Sequence, residues 1–103
     1  MATLNTTITL ANQDHTINYS GMRVRFQRST DGGATYTDVQ TNTRALGTTT
    51  DQYLVPAGQS GRYRAGACLT DGTNLSPEVF SSPIDVAVFS IMTPQTITLA
   101  ITV

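Results

Sequence analysis

Gly21-Met22-Arg23-Val24-Arg25-Phe26-Gln27 alternates strictly, with Met22, Val24 and Phe26 on one phase and Arg23, Arg25 and Gln27 on the other. The pattern returns downstream, where Tyr63, Ala65, Ala67 and Leu69 alternate with Arg62, Arg64, Gly66 and Cys68. A period of two over such lengths marks a strand with one face buried, because successive side chains of an extended chain point to opposite sides. The stretch from Gly21 to Val86 therefore reads as the central strands of a small β-sandwich.

The flanking residues punctuate this reading. Asp31-Gly32-Gly33 predicts a tight turn after the first strand, since Asp-Gly and Gly-Gly supply the positive φ that hairpins need. Thr35 to Val39 returns, with Tyr36 as its large residue, and residues 41–50 read as a polar loop with room for a short strand. Gln52 to Val55 is strand-like and ends at Pro56-Ala57-Gly58. Gly61 to Thr70 closes at Asp71-Gly72. Pro77 and Pro83 bracket an irregular edge, because proline removes a ladder donor. Ile84 to Ile91 reads as a further strand that Pro94 stops.

Toward the amino end, Thr3 to Leu10 predicts a first strand, Ala11 to Asp14 a turn, and His15 to Tyr19 a short second strand. At the other end Ile97, Leu99, Ile101 and Val103 share one phase of Thr96 to Val103. No long helical period occurs. Thr7-Ile8-Thr9-Leu10-Ala11 recurs as Thr96-Ile97-Thr98-Leu99-Ala100. The recurrence is either chance in a threonine-rich β composition or a sign that the terminal segments are equivalent strands.

A chain of 103 residues makes one domain, 1–103, with one modest core. Its net charge of −1 lends no support to nucleic acid or a membrane surface as a partner. Threonine is abundant, which suits pleated, half-solvated faces. Lysine and tryptophan are absent, so every basic side chain is an arginine with planar donors suited to carboxylate or phosphate. Cys68 is the lone cysteine, which excludes an internal disulfide. Met1 leads straight into polar residues with no apolar leader, so synthesis in a cytosol is expected unless a leader was removed.

From Tyr53 to Val86 the chain resembles a fibronectin type III or related immunoglobulin-like module. The residues that carry the resemblance are Leu54, Pro56, Tyr63 followed by Ala65 and Ala67, then Asp71-Gly72 and Ser76-Pro77. The resemblance implies an antiparallel sandwich of about seven to eight strands, with Tyr63 as a tyrosine corner whose hydroxyl is tied to nearby backbone. Residues 21–39 look like the preceding hairpin of such a module. The chain departs from the pattern in three ways: few residues precede the Met22 strand, the core tryptophan is missing, and Thr93 to Val103 extends past the usual end. The final strand is thus expected either to stand in for a shortened early one or to pair with another subunit, with segments 1–12 and 93–103 as the pairing candidates.

Reactive chemistry finds little footing. His15 sits beside Asp14 in a polar stretch with no nucleophile elbow in the chain. One cysteine and one histidine do not make a zinc site. A reactive Cys68 would need a neighbouring base or helix N-terminus. Asp31 and Asp71 each precede glycine, where turns use them, and calcium sites need several converging oxygens. Asp14, Asp38, Asp51, Glu78 and Asp85 are scattered, and no phosphate loop occurs. Asn5, Asn18 and Asn74 open glycosylation sequons, which a threonine-rich chain produces incidentally. No catalytic, cofactor or metal residues are assigned, and a non-enzymatic protein is expected.

The arginines carry the one specific surface expectation. In an immunoglobulin-like sandwich the strands of Arg23 and Arg25 and of Arg62 and Arg64 are neighbours, so four guanidinium groups would share one outer face. Such a face wants either interleaved acids, with Asp38, Asp85 and Glu78 available, or an anionic partner. The second candidate contact is the apolar series Ile97, Leu99 and Ile101. An uncharged strand left as an open edge invites pairing, so its deletion is expected to lower oligomerisation.

Small, cysteine-poor, threonine-rich sandwiches of this kind look like accessory virion proteins of tailed bacteriophages. By that resemblance the chain is expected to be a capsid decoration or tail protein. It would be made in the host cytoplasm, bind a major capsid or tail protein and associate with itself. The other expectation is an extracellular adhesion or carbohydrate-binding module cut from a larger protein.

Overall fold

The alternating segments fold as their periodicity requires. The computed structural model describes residues 2–10, 19–88 and 95–102. Among them it has strands β1 (Ala2–Thr9), β2 (Gly21–Ser29), β3 (Thr37–Ala45), β4 (Thr50–Val55), β5 (Gly61–Thr70), β6 (Val79–Phe80), β7 (Ile84–Val86) and β8 (Gln95–Thr102). No described residue is helical. The strand expected at His15 to Tyr19 lies, apart from Tyr19, outside the described residues, as does the end of the one expected at Ile84 to Ile91.

Two sheets face each other. One is ordered β4-β1-β8, the other β3-β2-β5-β6, with β7 also pairing β5. β2 and β5 pair antiparallel from Gly21 opposite Thr70 to Ser29 opposite Arg62. Their inward phases, Met22, Val24, Phe26, Tyr63, Ala65, Ala67 and Leu69, are fully buried. Leu4 and Ile8 of β1 and Leu99 and Ile101 of β8 cover them from the opposite sheet. Tyr53 of β4 bridges the layers, its ring 5.8 Å from that of Phe26 and 6.2 Å from that of Tyr63. The Tyr63 hydroxyl donates to the Gln59 carbonyl (2.5 Å), the backbone tether expected of it.

The residues read as a polar loop, 41–50, belong mostly to strand. β3 runs on to Ala45 and β4 begins at Thr50. The hydrophobic pattern is silent here because β3 is an edge strand with polar residues on both phases. Its inward-phase Gln40, Asn42 and Arg44, opposite Phe26, Val24 and Met22, reach across to the other sheet instead of filling the core. Gln40 Nε2 donates to Gln52 O (2.7 Å), Asn42 Nδ2 to Asp51 Oδ2 (3.1 Å), and Arg44 to both Asp51 oxygens (3.0 and 3.2 Å). Thr6 Oγ1 on β1 donates to Asp51 O and accepts from Asp51 N, both at 3.0 Å. Asp51 thereby clasps the two sheets along one open side.

The terminal strands meet each other. β8 lies parallel to β1, Ala2 opposite Gln95 through Thr9 opposite Thr102. The two copies of the repeat are therefore neighbours, though shifted, since Thr96, the counterpart of Thr7, lies opposite Thr3. The last strand lies beside the first of its own chain, and this parallel pair departs from the wholly antiparallel sandwich that was expected.

Candidate functional site

The outward phase of β2 and β5 forms a broad face that holds all four expected arginines. Arg23 lies opposite Cys68, Arg25 opposite Gly66, Gln27 opposite Arg64 and Ser29 opposite Arg62. Between Phe26 and Gln27 the pairing with β3 slips, leaving Val39 as an extra residue. This bulge shifts the phase of the strand, so that Asp38 stands opposite Gln27 on the outer face.

Acids interleave with the arginines. Arg25 donates twice to Glu78, by Nε to Oε2 (2.9 Å) and by Nη2 to Oε1, and approaches Asp38 at 3.4 Å. The bidentate bond to Glu78 raises the Arg25 pKa. Arg23 lies 3.8 Å from Glu78. Arg62 Nε donates to Asp85 Oδ1 (2.8 Å) and its Nη1 to Gly32 O (2.6 Å). This pair holds the exposed Asp85 carboxyl below its usual range. Asp85 and Arg62 also border an open groove of about 450 Å³ with Ser29 and Ser60. Asp38, Glu78 and Asp85, the acids available from the sequence, thus pair with Arg23, Arg25 and Arg62.

Arg64 is held differently. Its Nε donates to Gln27 Oε1 (2.8 Å), and Gln27 Nε2 donates to Asp38 Oδ1 (2.8 Å). The guanidinium carbon sits 4.0 Å from the Tyr36 ring centroid and 3.8 Å from that of Phe80. A cation between two aromatic faces gains from both ring quadrupoles. Among the described residues no carboxylate forms an ion pair with Arg64. It is thus the one arginine of the four whose charge is balanced by π-faces and an amide.

Gly66 makes this arrangement possible. A methyl group at that position would lie 2.7 Å from Glu78 Oε2 and 2.8 Å from the Phe80 ring. The bare backbone leaves room for Phe80, its cross-strand partner on β6, and for Glu78 beside it. Gly66→Ala is expected to displace both and to cost about 1–3 kcal/mol, as overpacking does. Urea denaturation measures it, and a midpoint equal to the parent's would show that the ring shifts freely. From sequence, Gly66 read only as a small outward residue, and the roles of Phe80 and Gln27 went unseen. They depend on a two-residue strand and a bulge, which carry no periodic signal.

Cys68, on the same phase, is fully buried opposite Arg23, and burial pushes its thiol pKa up. Such a thiol is a packing group at neutral pH. Asp31 and Asp71 both lie in connections between strands and accept bonds there, although the connection at Asp31 spans residues 30–36 and is longer than the tight turn expected. Gly32, Gly33 and Gly72 all adopt positive φ. Asp31 accepts from the hydroxyls of Ser29 (2.6 Å) and Thr35 (2.5 Å), which lowers its pKa well below the usual range. Asp71 accepts from the amides of Asn74 (2.6 Å) and Thr73 (2.9 Å), which lower its pKa from 3.8 to about 2.

A pH prediction follows from these depressed carboxyls. The contribution of Asp71 is complete above the unfolded value of 3.8 and drains as pH falls through the folded value of about 2, and that of Asp31 drains in the same direction. The urea midpoint is expected to drop between roughly pH 4 and pH 2, and to drop less in Asp71→Asn. An Asp71→Asn profile parallel to the parent's would exclude the turn as a source.

The apolar series of the last strand is placed inward. Leu99 is 4% and Ile101 2% exposed, and Ile97 packs partly against the same core. These side chains therefore serve their own chain's interior and do not face outward for a partner. What β8 leaves open is its backbone, since among the described residues no strand pairs with its far edge. His15 lies outside the described residues. No group of three or more metal-ligating side chains occurs among those described. No protein-family profile, curated protein or solved structure matches this chain.

Proposed function

We propose that this protein is a non-enzymatic structural component that works by docking into a larger assembly. The observation that carries this reading is the last strand. Thr96 to Thr102 contains no charge and no proline, completes the chain's own sheet, and leaves an edge that no described strand covers. Proteins that act alone guard such edges with lysine, proline or bulges. The assembly we propose is the virion of a tailed bacteriophage, with the chain as a decoration protein on the head lattice.

The pairing of strands supports an immunoglobulin-like reading of the fold. β3-β2-β5 with β6 and β7 corresponds to a C′-C-F-G sheet, and β4-β1 to the E-B pair of the other. β8 then occupies the place of the first strand of such a module.

Gold-labelled antibody to the purified chain, applied to particles of the phage that encodes it, tests the assignment. Regular labelling of heads supports a decoration role, and labelling of tails moves it to the tail. Unlabelled particles, or a gene outside any phage genome, overturn it. The Tyr36–Arg64–Phe80 stack favours a second reading, an adhesion or carbohydrate-binding module, because it presents aromatic faces on an outer surface. A glycan array with the parent chain and Tyr36→Ala decides that case, which requires binding that Tyr36→Ala loses.

A further inference from the structure

We infer that β8 is a self-pairing edge, and that two copies of this chain join there antiparallel, about a two-fold axis at Leu99. The inference rests on reading the protein as an assembly component and names one of its partners as a second copy of itself.

Three observations carry it. The first is the sequence of the edge. Thr96-Ile97-Thr98-Leu99-Ala100-Ile101-Thr102 is nearly the same read in either direction. Antiparallel pairing about Leu99 sets Ile97 against Ile101, Thr96 against Thr102, and Thr98 against Ala100 of the other copy. A two-fold interface must be self-complementary, and this segment is.

The second is phase. Thr96, Thr98, Ala100 and Thr102 are exposed, while Leu99 and Ile101 are buried and Ile97 is partly so. The two-fold matches exposed with exposed and inward with inward. Six strands, β4-β1-β8 and their mates, then form one sheet whose inward residues lie on one side. Two threonine–threonine and two threonine–alanine pairs line the other side, and no like charges oppose each other.

The third is the opposite layer. β6 contacts β8 across the sandwich. Val79 on β6, directly across from the inward-facing Ala67, is nevertheless 39% exposed. Among the described residues the sandwich is thus open in both layers on this side, by unpaired backbone in one and by an inward-phase apolar residue in the other. A second copy seated on β8 covers both.

Sedimentation equilibrium from micromolar to millimolar concentration tests the pairing. The parent is expected to show a reversible monomer–dimer equilibrium. Thr98→Glu combined with Ala100→Glu places two like-charged pairs across the two-fold and is expected to weaken the dimer about tenfold or more. The matching double lysine variant is weakened likewise, and an equimolar mixture of the two regains dimer. Both positions are exposed, and circular dichroism with thermal melting verifies that each variant folds. Register is tested separately by oxidative cross-linking. Thr98→Cys mixed with Ala100→Cys is expected to form a disulfide-linked pair, and Thr96→Cys mixed with Ala100→Cys is not. A strict monomer at every concentration overturns the inference, as does a dimer that the charges leave unchanged or one that cross-links in the shifted register. Particle labelling is a separate measurement, so a monomer that still decorates virions removes the self-pairing and leaves the assembly role standing.

Discussion

Deletion of residues 95–103 is expected to abolish the cooperative fold, a larger effect than loss of assembly. Leu99 and Ile101 are buried in the chain's own core, so their removal forfeits about 3–6 kcal/mol of burial. A domain of this size holds about 5–15 kcal/mol of net stability in all. The deletion also strips β1 of its parallel partner and opens Leu4 and Ile8 to water from that side. The truncated chain should be largely insoluble, or soluble without a cooperative thermal transition. A synthetic peptide of residues 95–103 added in trans should restore the transition by refilling the vacant position. A truncated chain that melts cooperatively near the parent temperature would show that β8 is an accessory to the fold. The same deletion read from the sequence pointed to lost oligomerisation. Once the strand is seen to supply core residues, that measurement alone no longer separates folding from assembly, and substitutions at the exposed Thr98 and Ala100 take its place.

Asp51→Ala is expected to be the most damaging substitution of a polar residue. Its side chain is 4% exposed and accepts from Arg44, from Asn42 and from the Gln52 amide (2.8 Å). Alanine leaves these donors without an acceptor in a partly buried seam. Hydrogen bonds to a charged acceptor are worth about 1.5–3 kcal/mol, and stranded donors add their desolvation. The Arg44 side chain is 44% exposed and can turn to water, so its share is discounted. The expected loss is about 2–3 kcal/mol, a fall in Tm of roughly 10–20 °C for a domain of this length. Arg44→Ala should cost less than Asp51→Ala, because the Asp51 carboxylate keeps its bonds from Asn42 and from the Gln52 amide. Thermal melting of both variants is the measurement. Equal losses would mean that the ion pair alone matters, and a negligible loss for Asp51→Ala would mean that the sheets close without the clasp.

Both effects fall where the sequence is hard to read, in contrast to the central strands. β2 and β5 were clear to the residue because both pair on each side within a sheet and bury one face completely, which enforces strict alternation. The four arginines could be placed on one face, and Asp38, Glu78 and Asp85 named as possible counter-ions, because a period of two fixes phase. The second half of β3 reads as a loop because its inward positions Asn42 and Arg44, like Gln40 before them, are satisfied by partners in β4 instead of by apolar burial. The destination of Ile97, Leu99 and Ile101 was ambiguous because an alternating apolar strand looks the same whether its buried face meets its own core or a neighbour's.

The sequence by itself determined an all-β chain, the phase of its central strands, its turns at Asp31 and Asp71, and the lone cysteine that excludes an internal disulfide. These are local properties, set by side-chain alternation and by residues that tolerate positive φ. Only the tertiary structure decided that the last strand lies parallel to the first, that Asp51 ties the two sheets together, and that Arg64 rests between Tyr36 and Phe80. Each of these joins residues far apart in the chain, where strand order and a single bulge set who meets whom, and neither leaves a period in the sequence.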